Sequence, residues 1–217
     1  MIVDISFDFN NDIDIIIKYL KKKGWMYSGC GSDKEPYTTK WCESLENGID
    51  INGIKNNLKI IDWGCGYARF LNYILLKNIE NFTYYGFELH GKNNGDLLME
   101  FNINHYLPFN DNNKIIKFGY VDNNKLIDEA LNICDVILLG SVFTHMKIED
   151  SINFLKQFDK FINDNKTIVF SLIIEKNIYQ LIGKGAYGIE NGYSCVFHSK
   201  NELNMLTCNN KYLITNI

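Results

Sequence analysis

The sequence lacks features that mark several whole classes of protein. No apolar run among its 217 residues approaches the roughly 20 that a membrane-spanning helix needs. Acidic residues interrupt the N-terminal stretch MIVDISFDFNND from the fourth position onward, which is not the pattern of a signal peptide. The six cysteines include no C-x-x-C spacing, so neither a disulfide framework nor a zinc site is indicated. These absences predict a soluble, cytoplasmic protein with reduced thiols, no bound metal and no membrane partner.

Dense positive charge is also missing. Lys and Arg number 22 against 26 Asp and Glu, which gives a formal net charge of −4, and the longest basic run is Lys21-Lys22-Lys23. Proteins that bind nucleic acid normally carry a basic patch. An extended nucleic-acid partner is therefore disfavoured, although a small basic groove stays open as an alternative.

The apolar content is sufficient for one α/β domain with a full core. At 217 residues and 46% hydrophobic, the chain is short for two domains. Apolar strands alternate with helical patterns from Leu58 to Ile174, including an amphipathic helix over 148–162 and a buried strand TIVFSLII from Thr167. This alternation predicts a doubly wound, mostly parallel sheet with helices on both faces over residues 55–217.

The stretch LKIIDWGCGYARF, from Leu58 to Phe70, reads as a strand, an acidic residue, a glycine turn and the start of a helix. Backbone that approaches a ligand closely cannot carry a β-carbon, and the helix that follows directs its free N–H groups at the same place. A dinucleotide fingerprint needs a small residue where Arg69 stands. In the alternative pattern, D-x-G-x-G-x-(G/A), Asp62, Gly64, Gly66 and Ala68 all match.

In this second pattern the sequence resembles the class I S-adenosylmethionine-dependent methyltransferases, with alanine at the third small position of their first motif. The resemblance covers about residues 55–175 and implies a Rossmann-like fold that binds S-adenosylmethionine. It assigns cofactor contacts to Asp62, Gly64, Cys65 and Gly66.

Two further acidic residues extend the resemblance. Glu88 ends the second strand, FTYYGFEL, where a carboxylate can accept hydrogen bonds from the two hydroxyls of a ribose. Asp122 follows the third strand, IIKFGY, at the position where the family contacts the exocyclic amine of adenine. The alternative for Glu88 is a surface carboxylate. For Asp122 the alternative is a shift of the match by one or two residues, because the loop is rich in asparagine.

The fourth strand ends in G-S-V-F-T-H, a segment similar to one found in many small-molecule methyltransferases of this class. Ser141 is a candidate contact to the methionine part of the cofactor or to the substrate. His145 is the candidate catalytic base, because a neutral imidazole can accept a proton from a substrate hydroxyl at cellular pH. Ordering of its own loop is an equally weighted alternative for His145. His198 is a second candidate base, whereas His90 and His105 are expected at the surface.

The two ends of the chain are less regular. Residues 1–54 are predicted to form a helical extension or cap, with one helix from Asn11 and another after Pro36. Three aromatic residues of this part, Tyr27, Tyr37 and Trp41, either line the substrate site or belong to the core. Glycines over 183–192 predict an irregular loop, followed by a short helix from Ser199 and a last strand KYLITNI. The family ends its sheet with a hairpin, so either the VFHS segment supplies the other strand or the hairpin is short.

The segment after the fourth strand bears on the identity of the methyl acceptor. The N-P-P-Y or D-P-P-Y segment of methyltransferases that act on nucleobase amino groups is absent, and S-V-F-T stands there. With the acidic charge balance, this favours a small polar acceptor, namely a hydroxyl of a sugar, a glycan or a related metabolite. Two alternatives stay open: a cofactor-binding subunit without catalysis, and an RNA or protein methyltransferase that needs a partner. The oligomeric state is not indicated by the sequence.

Overall fold

The structure is a computed structural model. It describes residues 42, 46, 49, 57–91, 95–140, 142–143, 146–158, 161, 166–170, 187–190 and 193–196. Several predicted features lie outside these residues: the helix from Asn11, Tyr27, Tyr37, Trp41, the helix from Ser199 and the strand KYLITNI.

Five parallel strands form the main sheet, in the order β3-β2-β1-β4-β5. They are β1 (Leu58–Trp63), β2 (Phe82–Glu88), β3 (Lys114–Tyr120), β4 (Val136–Leu139) and β5 (Thr167–Phe170). In chain order the sheet grows from β1 to β3 and then returns to place β4 on the other side of β1. Such a reversal leaves a crevice at the carboxyl ends of the strands, where ligands bind in open α/β sheets. The predicted doubly wound parallel sheet is confirmed.

Helices α1 (Arg69–Leu76), α2 (Gly95–Tyr106), α3 (Asn124–Ile133) and α4 (Ile148–Lys156) connect the strands, and a short 3-10 turn, Leu107–Phe109, follows α2. No bounds for α3 are predicted from the sequence. Helix α4 is shorter than predicted: Gln157 N donates to the Phe154 carbonyl and Phe158 N to the Leu155 carbonyl, which closes the last turn tightly. None of the helices among the described residues has the length and apolar character to cross a membrane.

The core lies on both faces of the sheet because neighbouring strand residues point to opposite sides. On the face shared with α1 and α2, Ile60 and Tyr84 pack with Leu71 and Tyr106. On the other face, Ile61 and Tyr85 pack with residues that include Phe143 and Phe158. Strands β1, β2 and β4 are almost entirely buried.

Two predictions about the later part of the chain need correction. Strand β5 was expected to be fully buried, but its four residues are only half-buried, because β5 is an outer strand of the described sheet. The glycine-rich segment expected as an irregular loop contains an antiparallel hairpin of β6 (Tyr187–Glu190) and β7 (Tyr193–Val196). Backbone pairing formed despite the glycines, with Gly188 opposite Cys195.

Three helical residues that precede β1 contact the rest of the described structure. Cys42, Glu46 and Ile49 are helical, and Cys42 and Ile49 are buried in the cluster that contains α1. The Glu46 carboxylate accepts hydrogen bonds from Tyr73 Oη at 2.6 Å and from Lys77 Nζ at 2.7 Å. Cys42, Glu46 and Ile49 therefore pack against α1 and the residue that follows it. The cysteines Cys42, Cys65 and Cys134 are buried.

Candidate functional site

The turn between β1 and α1, residues 64–68, places alternate residues in the left-handed region of backbone conformation. Gly64 has φ +71°, Gly66 has φ +56° and Ala68 has φ +56°. The small residues of the pattern D-x-G-x-G-x-A are therefore the ones with positive φ. Arg69 is the first residue of the helix. Glycine adopts this conformation freely, whereas alanine does so at a cost of about 1–2 kcal/mol. The turn thus retains a strained residue at Ala68.

The two glycines of this turn face different surroundings. A β-carbon at Gly64 would lie 3.1 Å from Cγ2 of Val142, which belongs to the segment after β4. A β-carbon at Gly66 would have no atom of the described residues within 4 Å. Gly64 therefore allows the turn to pack against the fourth-strand segment, and Gly66 borders open space at the carboxyl end of the sheet.

Glu88 lies directly against this turn. Its Oε2 accepts a 2.8 Å hydrogen bond from the backbone N–H of Gly66, and its Oε1 accepts one of 2.8 Å from the N–H of Leu89. Backbone hydrogen bonds also join the turn to β2, because the N–H groups of Gly64 and Cys65 both donate to the Phe87 carbonyl. Through these bonds Glu88 is fixed at the carboxyl end of β2, next to the glycine turn.

Asp62 lies beneath the turn and is 4% exposed. Tyr84 Oη donates a 2.6 Å hydrogen bond to its Oδ2. Burial raises the pKa of Asp62 to about 7, and the nearby Glu88 carboxylate adds to the rise, while the hydrogen bond from Tyr84 and the charge of Arg69 oppose it. The carboxyl group therefore changes its protonation state close to neutral pH.

Cys65 is a buried thiol whose pKa is raised well above its usual value, chiefly by burial and further by Asp62. A protonated thiol is a poor nucleophile. This side chain therefore contributes packing, and only the backbone of Cys65 lies in the turn.

Asp122 follows β3 at the same edge of the sheet. The neighbouring Val121 N–H donates to the Glu88 carbonyl at 3.1 Å, so the end of β3 adjoins the end of β2. Asp122 itself is exposed and starts the turn into α3, whose cap is Asn123. The structure thus brings Asp62, Gly64, Cys65, Gly66, Glu88 and Asp122 to one edge.

The remaining predicted site residues, Ser141, His145 and His198, lie outside the described residues. Their neighbours Gly140, Val142 and Phe143 are described, and Val142 borders Gly64 as stated above. Among the part of the chain that the structure describes, no three His, Cys, Asp or Glu side chains are placed to hold a metal ion.

The two histidines expected at the surface differ from each other. His90 is exposed, and its Nδ1 lies 2.9 Å from Oδ1 of Asp96. His105 is half-buried and stacks on Phe101, with ring centroids 5.1 Å apart. Burial lowers the pKa of His105. The surface prediction is therefore wrong for His105, because α2 turns this residue toward its aromatic neighbours.

Two residues of α2 contact the turn and were not predicted as site residues. The Nδ2 of Asn102 donates to the Gly66 carbonyl at 2.7 Å, and Tyr106 Oη donates to the Tyr67 carbonyl at 3.3 Å. Both are completely buried. A sequence indication existed: Asn102 interrupts the buried stripe of α2, which is otherwise apolar or aromatic apart from Gly95. A polar residue in such a stripe normally has a buried partner.

Comparison with solved structures agrees with this geometry. Magnesium protoporphyrin IX methyltransferase from Synechocystis PCC 6803 with bound SAH matches with a TM-score of 0.56 and 13% identity, over 92% of this chain and 89% of that chain. The same enzyme with bound SAM matches with a TM-score of 0.54 and 10% identity, over 98% and 90%. The chain has the fold of a methyltransferase.

A third match is the 16S rRNA methylase ArmA, with a TM-score of 0.40 and 16% identity over 84% of this chain and 95% of that chain. A likeness of this extent does not indicate a substrate. No protein-family model and no curated protein matches the chain by sequence. The two matches to magnesium protoporphyrin IX methyltransferase confirm, at the level of the fold, the resemblance noted in the first motif.

Proposed function

We propose that this chain binds S-adenosylmethionine and transfers its methyl group to a small polar acceptor, a hydroxyl of a sugar or related metabolite. One observation carries the proposal: the Glu88 carboxylate is fixed against the Gly66 amide at the carboxyl end of the sheet. An acidic acceptor beside an open glycine turn, next to the strand reversal, suits a nucleoside.

The residues at this edge fit the cofactor. The space beside Gly66 accommodates a ligand that a β-carbon would exclude. In the proposed arrangement Glu88 accepts from the ribose hydroxyls and Asp122 from the adenine amine. Asp62 at the end of β1 and the turn residues 64–66 border the rest of the nucleoside, and Ser141 contacts the methionine part. When bound, S-adenosylmethionine supplies a methyl group on a sulfonium, from which the thioether leaves readily.

The protein then has to position the acceptor, an effect that can contribute on the order of 7–11 kcal/mol. A hydroxyl acceptor also loses a proton during transfer. His145 is the proposed base, on the strength of its place after the fourth strand in the sequence. The segment S-V-F-T in place of N-P-P-Y and the net charge of −4 favour this acceptor over a nucleobase.

Calorimetric titration with S-adenosylmethionine and S-adenosylhomocysteine tests the cofactor. We expect binding by the wild type and its loss in Glu88→Ala. Glu80→Ala is the matched control, since Glu80 is exposed and precedes the opposite, amino-terminal end of β2. Absence of wild-type binding, or equal binding by all three proteins, would contradict the proposal.

Turnover tests the acceptor. Release of S-adenosylhomocysteine is measured with a panel of sugars and hydroxylated metabolites, with His145→Ala and His145→Gln as variants. A hydroxyl acceptor predicts turnover by the wild type and a large loss of kcat in both variants. If the protein binds the cofactor but shows no turnover, either with the small molecules or with ribosomal RNA, a non-catalytic cofactor-binding subunit is indicated instead. Turnover only with RNA would identify the other alternative.

A further inference from the structure

Helix α2 begins against the end of β2. A β-carbon at Gly95 would lie 1.9 Å from the Leu89 carbonyl oxygen and 3.4 Å from Cγ of Glu88. The next residue, Asp96, accepts a 3.0 Å hydrogen bond from the Gly91 amide. The first turn of α2 is therefore held in contact with the residue that carries the candidate ribose acceptor.

Asn102 follows two turns later in α2 and reaches the glycine turn. Its Nδ2 donates to the Gly66 carbonyl at 2.7 Å and also lies 3.8 Å from Sγ of Cys65. The N–H of Gly66 belongs to the preceding peptide group and donates to Glu88. Side chains from two separate elements thus fix both peptide groups of Gly66, the residue type with the greatest backbone freedom.

We propose that Asn102 is a positioning residue for the cofactor, because it holds the Gly66 peptide in the orientation that directs Glu88 toward the nucleoside. The inference rests on the proposed function and extends it to a residue that does not touch the ligand. Ordering the turn before binding removes an entropic cost that the ligand would otherwise bear. Tyr106 extends the same restraint to the next carbonyl, that of Tyr67.

The other polar atom of the Asn102 side chain, Oδ1, is buried and has no hydrogen-bond partner among the described residues. A buried acceptor left unsatisfied destabilises a protein. Replacement of Asn102 by an apolar residue therefore removes this unsatisfied oxygen, but it also removes the amide donor of the Gly66 carbonyl.

Asn102→Leu tests the positioning role, since leucine fills a similar volume and removes both the donor and the unsatisfied oxygen. We expect thermal stability to stay close to that of the wild type, because the change removes an unsatisfied buried oxygen but also removes the amide donor of the Gly66 carbonyl. S-adenosylmethionine and S-adenosylhomocysteine should each bind about five- to tenfold more weakly, as expected for one lost hydrogen bond. In the ligand-free protein, hydrogen exchange at the turn amides should accelerate by a similar factor. Tyr106→Phe provides a second variant with a smaller effect in the same direction.

Asn72→Leu is the matched control, because Asn72 is 3% exposed, lies in α1 and has an Oδ1 that is also without a partner among the described residues. It should leave affinity and turn exchange unchanged. If Asn102→Leu keeps the ligand affinity of the wild type and the same rate of hydrogen exchange at the turn amides, the positioning role is overturned. Failure of the wild type itself to bind either ligand would instead overturn the proposed function, and the exchange measurement would still decide whether Asn102 orders the turn.

Discussion

The backbone amide of Gly66 donates a 2.8 Å hydrogen bond to Oε2 of Glu88, across 22 residues of sequence. The bond joins the turn after β1 to the last residue of β2, so the two parts of the candidate cradle form one unit. Because Gly66 also borders open space, a substitution there changes the ligand site more than the core.

Gly66→Ala should therefore weaken ligand binding more than folding. Within the part of the chain that the structure describes, the new methyl group meets no atom within 4 Å, so the expected loss in the free energy of unfolding is about 1–2 kcal/mol, the cost of the positive φ. The methyl group would occupy the space proposed for the nucleoside, and we expect binding of S-adenosylhomocysteine to fall below detection. Urea unfolding and calorimetry measure the two effects.

Gly64→Ala is the comparison, since its methyl group would lie 3.1 Å from Cγ2 of Val142 in addition to the strain at φ +71°. Its loss of stability should exceed that of Gly66→Ala. Retained ligand affinity in Gly66→Ala would show that the open side of this glycine is not the ligand side.

Ala68→Gly should stabilise the protein. Ala68 is buried with φ +56° and ψ +45°, so glycine removes the steric cost of the left-handed conformation. The greater freedom of glycine in the unfolded chain offsets part of the gain. We expect a net rise of about 0.5–1 kcal/mol in the free energy of unfolding, measured by urea titration. Destabilisation would mean that the methyl group contributes more packing than the strain costs.

The sequence predicted the parts of the site that depend on local patterns. The strand before the turn, the small residues 64, 66 and 68 of the turn, and the acidic end of β2 all follow from residue spacing within a few positions. The alanine at 68 was recognised as the third small residue because Arg69 could not serve there. Local rules of backbone conformation are sufficient for such features.

Contacts between residues that are distant in the sequence could not be predicted from local rules of backbone conformation. Asn102 bonds the carbonyl of Gly66 across 36 residues, and nothing near Asn102 in the chain specifies that partner. Helix α3 was not predicted, although Leu126, Ile127, Ala130 and Leu131 lie at helical spacing and pack in the core. His105 was assigned to the surface because its burial depends on how α2 packs on the sheet.

Gly95→Ala should destabilise the protein severely. The methyl group would collide with the Leu89 carbonyl oxygen at 1.9 Å, and since that atom is backbone, α2 must move away from β2. We expect a loss of about 3 kcal/mol or more in urea unfolding. Gly91→Ala is the control, because its β-carbon would lie 3.6 Å from Oδ2 of Asp96 and only the positive φ adds strain. Equal losses in the two variants would show that α2 is not seated closely on β2.

Asp62→Asn should change how stability depends on pH. The pKa of Asp62 is about 7 in the folded protein and near 3.8 in the unfolded chain, so between these values the folded state keeps a proton that the unfolded state has lost. The stability of the wild type therefore falls as pH rises from about 4 to 7. Asparagine does not titrate, and its Oδ1 can still accept the hydrogen bond from Tyr84 Oη. We expect the variant to exceed the wild type in stability at pH 8, by up to on the order of 4 kcal/mol, and to match it near pH 4. Urea unfolding at a series of pH values measures the difference, and a constant offset across this range would mean that Asp62 ionises in the folded protein as it does in the unfolded chain.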